Sequence, residues 1–439
     1  MIVWVGLGPL GVILLALAWR WLPSKQLPVA VAVWVTLMVL AVGVRFSLDH
    51  WHGGWSLWVL MVVNVVAATS AWDSVWWARE HKSANMIRYF IWWALFYTSL
   101  LVIALANNLV LAWLAIEFST LVSGALIVEM GHRRALEAAW KYIVVASAGM
   151  LTAIIGIVFL YASLQTERLG WHTLDYANLQ AHYLSIAPIV REIATVLIVC
   201  GIGTKAGLVP FHTWLPDAHS VAPSPVSGLL SGVLLGLCLI AVNHFVTAVP
   251  LPGGMLLAGT HLLLLFGSLS VVVGALALLV QRDVKRMLAY SSIEQVGIMA
   301  IGFGVGTRYA IAAALLQFMF HALIKSSLFY IGGHLSVRYH SMYLRQMKEM
   351  ARRQRGFAIA WTIGILALAG LPPLGLAYSE WMILYALWQS RLWPILIVLS
   401  LGLVLGFAGL LQHLINGVWG KSNRKSVDVN MVGGGVTHG

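Results

Sequence analysis

Residues 196–219 read VLIVCGIGTKAGLVPFHTWLPDAH. This apolar run should continue as one helix, but Gly201, Gly203, Gly207 and Pro210 interrupt its middle, and Lys205 stands in the interruption. Residues 366–384, LALAGLPPLGLAYSEWMIL, repeat the device with Gly370, Pro372, Pro373 and Gly375, and Glu380 follows. Proline removes a backbone donor and clashes with the preceding turn, so each helix is expected to split into two halves. If such a run lies in a bilayer, the freed backbone groups are tolerated only where protein or a hydrated cavity covers them.

The rest of the chain fits that setting. Of 439 residues, 60% are hydrophobic and only 10% charged, with a mean hydropathy of +0.87; a soluble domain carries about a quarter charged residues. The composition excludes an ordinary soluble domain and defines an integral membrane protein. Cys200 and Cys238 each sit in an apolar run with no second cysteine nearby, so neither a disulfide framework nor a thiolate metal or iron–sulfur site is readable. The net charge of +12 is read as the lysine and arginine excess of cytoplasmic loops rather than as a nucleic-acid surface. The first charge is Arg20, after an apolar run from Ile2. The basic start of a cleaved signal peptide is missing, and the first run is expected to remain as a span.

A membrane-spanning helix needs about 20 mostly apolar residues. Thirteen such runs begin near Ile2, Leu27, Leu57, Ile87, Leu109, Ala135, Ile186, Pro225, Met255, Met287, Tyr309, Phe357 and Leu392, with a polar tail from about Ile415. Alternating strand patterns of about ten residues are absent, so the fold class expected is all-α and polytopic. Loop charges test the count. Loops after odd-numbered spans carry nineteen basic residues: Arg20, Lys25, Arg79, Lys82, Arg88, Arg133, Arg134, Arg282, Lys285, Arg286, Arg338, Arg345, Lys348, Arg352, Arg353, Arg355, Lys421, Arg424 and Lys425. Loops after even-numbered spans carry five, Arg45, Arg168, Arg191, Arg308 and Arg391. The asymmetry predicts an N-terminus outside and a cytoplasmic tail in a bacterial-type inner membrane.

Grouping spans 4 to 8 and 9 to 13 makes the broken helix the fourth member of both units, and the two units then have opposite orientations. Inverted repeats with broken helices at the midplane are a transporter signature. The organisation expected is a three-helix region over 1–86, a first five-helix unit over 87–249, a second over 255–414, and a tail over 415–439. Coincidence is the competing explanation, because glycine and proline are common in membrane helices.

An ionisable residue at mid-bilayer costs at least about 2.5 to 3.5 kcal/mol, so it defaults to function or pairing. Glu117 lies mid-span in LVLAWLAIEFSTLVSGALIV, residues 109–128, and Lys205 in the first break. A carboxylate moving near a desolvated lysine would make that lysine take or release a proton. His321 and Lys325 lie four residues apart in AALLQFMFHALIKSSLFYIGG, residues 313–333, on one helical face. Histidine is suited to passing protons between lysines, and a packing hydrogen bond is the alternative. Glu380 is the natural terminal proton site. Glu294 is read in the first third of its span, either on the same axis or at an interface. Lys141 stands a turn or two inside span 6, where snorkelling competes with relay work. His212 and His219 flank the turn after the first break; they read as a half-channel entrance or a structural cap, with no cluster completing a metal site. Trp76, Trp77, Trp92 and Trp93 are read as an interfacial belt.

No Walker A loop or nucleophile elbow is present, and no extramembrane stretch is long enough to fold alone. No catalytic site and no cofactor are expected, and energy must come from an ion gradient or a partner.

Four strings carry a resemblance: GTKAGLVPFHTWLPDAHSVAPSPVSGLLSGVLL (203–235), RDVKRMLAYSSIEQVGIM (282–299), FHALIKSSLFYIGG (320–333) and GLPPLGLAYSEW (370–381). Over about Asn107 to Trp388 the chain resembles the proton-conducting antiporter-like subunits of respiratory complex I, group 4 membrane hydrogenases and multi-subunit cation/proton antiporters. HRRALEAAWKYIVVASAG (132–149) and YSSIEQVG (290–297) look most like the hydrogenase-4 component F type. The resemblance implies two inverted five-helix units. It makes Glu117 and Lys205 the pair of the first half-channel, Lys325 the central lysine and Glu380 the terminal site. The chain departs from it in span 8, where SGLLSGVLLGLCL (227–239) holds no lysine or histidine, so the link between half-channels would run through water or His321. The first 86 residues match weakly, and the usual fourteenth helix is not seen. The partner implied is a hydrogenase or quinone-reductase arm. The alternative is an inorganic-carbon uptake system in which this subunit powers a soluble zinc protein resembling carbonic anhydrase. A scaffold whose ionisable residues are only paired is a further rival.

Overall fold

A computed structural model describes residues 2–18, 26–48, 54–80, 85–131, 133–164, 170–251, 257–343 and 350–420. Among these the chain is helical, with two isolated β-bridges, Asn108 to Asp175 and Asp283 to Tyr343. In order the helices are α1 Ile2–Ala18, α2 Leu27–Leu48, α3 Gly54–Glu80, α4 Met86–Leu105, α5 Leu109–Val128, α6 Arg133–Ser163, α7 Tyr176–His182, α8 Pro188–Ala206, α9 Trp214–Val221, α10 Ser224–Leu229, α11 Leu235–Ala248, α12 Gly259–Val280, α13 Val284–Val305, α14 Arg308–Arg338, α15 Met350–Arg353, α16 Arg355–Leu368, α17 Gly375–Gln389 and α18 Trp393–Val418. Asn85, Asn108, Asp283 and Thr307 cap α4, α5, α13 and α14 by accepting from first-turn amides, which satisfies donors a helix leaves free.

Ten helices among the described residues are long and apolar enough to cross a membrane, with α8 and α9 taken together as one of them. The other three expected runs are α1, of 17 residues, α2, of 22 residues, and the α16–α17 pair on either side of the second break. Helix α18 continues to Val418, past the expected start of the tail at Ile415, because the run stays apolar through Ile415 and Val418. The loop charges Arg20, Lys25, Lys82, Arg168, Arg345, Lys348, Lys421, Arg424 and Lys425, the run start at Met255, and the tail beyond 420 lie outside the described residues.

Both breaks are present. Helix α8 stops because Gly207 takes φ 79°, a left-handed conformation that a side chain disfavours, and its N–H and that of Leu208 fold back onto the carbonyls of Thr204 and Gly203. Gly370, at φ 69°, follows α16 in the same way, with the Leu371 N–H on Leu366 O.

The centre of the molecule is the continuous rod α10–α11, which contains a π-helical turn at Leu230–Leu234. Its most apolar eighteen-residue stretch is entirely buried. Gly228, Gly232 and Gly236 form a stripe along it. A Cβ on these would meet the Tyr330 ring at 2.4 Å, Ala322 O at 2.8 Å and the Phe318 ring at 2.2 Å, so only glycine permits the rod to press against α14 at backbone distance. Trp77 and Trp93 are buried rather than interfacial; Trp93 Nε1 donates to Ser70 Oγ at 3.1 Å, and a tryptophan with a partner for its N–H is stable inside the bundle.

Candidate functional site: a buried row of ionisable side chains

The first group surrounds Lys205, fully buried in the last turn of α8. The C-terminal end of a helix is where its dipole favours a cation. The break leaves backbone groups that need partners at this depth. Trp214 Nε1 donates to Thr204 O at 2.9 Å, and Ser270 Oγ on α12 accepts from the Val209 N–H at 2.9 Å. Lys205 Nζ donates to Thr120 Oγ1 at 2.7 Å and to Tyr142 Oη, and lies 4.5 Å from the Tyr142 ring centroid. Tyr142 Oη is hydrogen-bonded to Ser123 Oγ at 2.7 Å. Glu117, on the same helix as Thr120, does not ion-pair with Lys205. One of its oxygens accepts from Ser147 Oγ at 2.6 Å, and the other is buried without a partner. The two ends of the expected pair are thus turned toward separate hydroxyls, Lys205 toward Thr120 on α5 and Tyr142 on α6, and Glu117 toward Ser147 on α6.

The second group is built on α13, α14 and α17. Lys325 is fully buried; its Nζ donates to Leu288 O at 2.6 Å and to Ser291 Oγ. His321, one turn away, places Nε2 at 3.3 Å from Ser231 O, and its Nδ1 has no partner. Ser231 lies in the π turn and is hydrogen-bonded to Ser292 Oγ at 2.6 Å. A π turn frees a carbonyl from the ordinary ladder, and here the segment without lysine or histidine meets the row through that backbone oxygen. Glu380 Oε1 accepts from Gln295 Nε2 at 3.3 Å. Gln295 Oε1 accepts from Gln317 Nε2 at 2.5 Å, and Gln317 Oε1 accepts from Ser379 Oγ. Glu294 lies halfway along α13, not in its first third, and is buried. Its carboxylate faces Gly406 of α18, where a Cβ would stand 2.0 Å from Oε1.

Two expected residues, Lys141 and His212, lie apart from this row, and His219 stands near enough to Lys325 for their charges to interact. Lys141 is 51% exposed and pairs with Glu137 at 2.9 Å and Asp217 at 3.8 Å. It lines a cavity of about 1090 Å³ with Arg134, Asp217, Lys285, Arg286 and Trp76. Only a turn or two of α6 precedes it, so its long stem carries the ammonium to that surface. His212 is half-buried with Nδ1 unpartnered, and His219 is fully buried with neither ring nitrogen partnered, its ring 5.2 Å from that of Phe329. Among the described residues no three His, Cys, Asp or Glu side chains are placed to hold a metal.

Sequence reasoning missed Tyr142, Ser147, Ser291, Gln295 and Gln317. The available signal was helical spacing: Gln317, His321 and Lys325 recur every four residues on α14, and Ser291 and Gln295 do so on α13.

The arrangement defines an all-helical, multi-pass membrane protein that buries lysines, histidine and carboxylates among hydroxyls and amides. A family model described as NADH:quinone oxidoreductase/Mrp antiporter, transmembrane, matches residues 106–406, and the chain belongs to that family of antiporter-like membrane subunits. It is 34% identical over 318 residues to the hydrogenase-4 component F homolog of Methylacidiphilum infernorum, covering 72% of this chain and 66% of that protein. It is 28% identical over 346 residues to hydrogenase-4 component B of Escherichia coli, covering 76% and 50%. The chain thus spans one half to just under two thirds of these curated relatives. A chain in the structure of the membrane-bound sulfane sulfur reductase, an archaeal respiratory membrane complex, matches with a TM-score of 0.84 at 24% identity over 95% of this chain and 89% of that one, which shows a common fold.

Proposed function

We propose that this chain translocates protons across the membrane as one subunit of a larger complex, coupled to the chemistry of a hydrogenase-type or NADH:quinone oxidoreductase-type arm. The observation that carries the reading is the burial of Lys205 and Lys325 with no carboxylate in ion-pair contact and with hydroxyls as side-chain partners. A carboxylate partner would hold an ammonium charged; a hydroxyl can donate or accept, so Thr120, Tyr142 and Ser291 suit both the ammonium and the neutral amine. A buried lysine so placed can exchange a proton.

In this reading a proton entering the first half-channel changes the balance between Glu117 and Lys205. It passes to His321 and Lys325 and leaves by Glu380. His212, His219, Lys141 and Glu294 flank the row as entry, surface and terminal groups, and the breaks at Gly203, Gly207, Pro210, Pro372 and Pro373 let the half-helices shift beside it. Two inverted units over 87–249 and 255–414, after a region over 1–86 and before a tail over 415–439, supply the two half-channels. The paired left-handed glycines, Gly207 and Gly370, support that division. The loop charges support an N-terminus outside and a cytoplasmic tail. The relatives' names favour the redox partner over the inorganic-carbon alternative.

The test uses inverted membrane vesicles holding the intact complex, with hydrogen or NADH as electron donor. Lys205→Met should abolish donor-driven proton uptake while the complex still assembles. Wild-type uptake in assembled Lys205→Met vesicles would refute the reading and leave a scaffold.

A further inference from the structure

Glu380, Gln295, Gln317 and Ser379 come from α17, α13 and α14 and meet inside the bundle, with none of the four more than 6% exposed. Their hydrogen bonds all run one way. Ser379 donates to Gln317, Gln317 to Gln295, and Gln295 to Glu380. A chain of that polarity ends on a carboxylate oxygen that only accepts, so it fits Glu380 without a proton on Oε1.

The same four groups also complete the opposite polarity. With a proton on Oε1, Glu380 donates to Gln295 Oε1. Gln295, its amide turned over, donates to Gln317 Oε1, and Gln317, turned likewise, donates to Ser379 Oγ. The Ser379 hydroxyl then needs a new acceptor, and the structure holds one: Leu376 O lies 3.1 Å from Ser379 Oγ, with Gly375 O at 3.5 Å. Neither polarity leaves a buried Glu380, Gln295, Gln317 or Ser379 side chain without its place in the chain; what the opposite one gives up is the long bond, 3.5 Å, from Gln295 Nε2 to Leu368 O. An apolar residue at either glutamine position would strand its neighbours in one state or both.

We propose that Gln295 and Gln317 are positioning residues that form, with Ser379, a reversible amide chain whose direction turns over each time Glu380 gains or loses its proton. The proposal rests on the reading of Glu380 as the terminal proton site. No bond other than O–H is made or broken; the proton taken up by Glu380 is the one released, and the amides rotate without exchanging theirs. The turnover reports the state of α17 to α13 and α14, which carry Ser291, His321 and Lys325. Tyrosines aside, the other ionisable groups on elements packed against α17 are Glu294 midway along α13 with Lys285 and Arg286 at its start, His321 and Lys325 midway along α14 with Arg308, His334 and Arg338 toward its ends, His413 on α18, and Arg355 at the far end of α16. Gln295 and Gln317 are the side chains that donate toward Glu380 through the chain.

The experiment is an infrared pH titration of the full-length chain in lipid nanodiscs, following the carboxyl C=O band that Glu380→Gln removes. Gln295→Met and Gln317→Met, near in shape but without donor or acceptor, should each move the midpoint by about tenfold in proton concentration toward retained protonation, the size of one charged hydrogen bond. Gln317→His, which again offers one donor and one acceptor, should bring it back to within about threefold. Ser379→Ala removes one oxygen and should shift the midpoint in a fold that is not in question. Midpoints within about threefold of wild type in Gln295→Met, Gln317→Met and Ser379→Ala would overturn the proposal. Wild-type proton uptake by Glu380→Gln in vesicles would instead overturn the underlying reading, whatever the band does.

Discussion

Lys205 Nζ and Thr120 Oγ1 are 2.7 Å apart, and Thr120 stands one turn from Glu117 on α5. The carboxylate on α5 and the lysine on α8 therefore meet the same stretch of α5 without touching each other. Thr120 Oγ1 itself donates to Ile116 O at 3.3 Å, so the hydroxyl beside Lys205 both accepts and donates.

Tyr142→Phe tests that arrangement, because it deletes the oxygen shared by Lys205 and Ser123. The expected cost is about 1 to 3 kcal/mol of stability, the range for a hydrogen bond to a charged group. Proton uptake by vesicles should fall severalfold with assembly retained. Unchanged uptake would remove Tyr142 from the working of Lys205.

Gly406→Ala places a Cβ 2.0 Å from Glu294 Oε1. Overpacking of this kind costs about 1 to 3 kcal/mol, read as a lower unfolding temperature of the purified chain in detergent. Gly417→Ala on the same helix meets nothing within 4 Å and should be neutral or stabilising by up to about 1 kcal/mol. Equal losses in the two variants would show that the niche around Glu294 is not tightly packed.

Asp217 joins α9 to α13 through Arg286 at 3.0 Å, between side chains 32% and 48% exposed. Exposed pairs contribute little, so Asp217→Asn should change stability by less than about 1 kcal/mol. The difference should shrink further as salt screens the pair. A larger loss, insensitive to salt, would mean that the pair is held in a drier setting than its exposure indicates.

Asp283 caps α13 by accepting from the Arg286 N–H at 2.9 Å, and burial pushes its carboxyl above the usual range despite that bond and the nearby Lys285 and Arg286. An acid whose proton is held more tightly in the folded state binds more protons folded than unfolded, so stability falls as pH rises from the ordinary aspartate value through the raised one. Asp283→Asn keeps the cap and should remove that part of the pH dependence. Thermal unfolding of both proteins across the acidic range checks it; parallel curves would contradict the assignment.

The fold was legible because its physics is coarse. An apolar run of about 20 residues has few alternatives in a bilayer, and nearly every described span begins within a few residues of its expected start. Lys205, Lys325 and Glu380 were legible for the same reason, as charges whose burial is costly. Gln295 and Gln317 were not, since neutral amides in membrane helices carry no comparable penalty and nothing in one sequence says which helix they face. Lys141 was ambiguous because position along a helix does not fix where a long flexible stem ends. Trp77 and Trp93 were misplaced because tryptophan satisfies an interface and a core equally well once its N–H has a partner.

The first break is fastened by two side-chain bonds, Trp214 Nε1 to Thr204 O and the Val209 N–H to Ser270 Oγ. Each contributes about 1 kcal/mol net, so a state with both undone, about 2 kcal/mol higher, would hold roughly one molecule in thirty at room temperature. The two bonds therefore work as a latch a few times stronger than thermal energy. In the proton-translocating role proposed above, a bias of one or two hydrogen bonds would be enough to change how often that latch is undone.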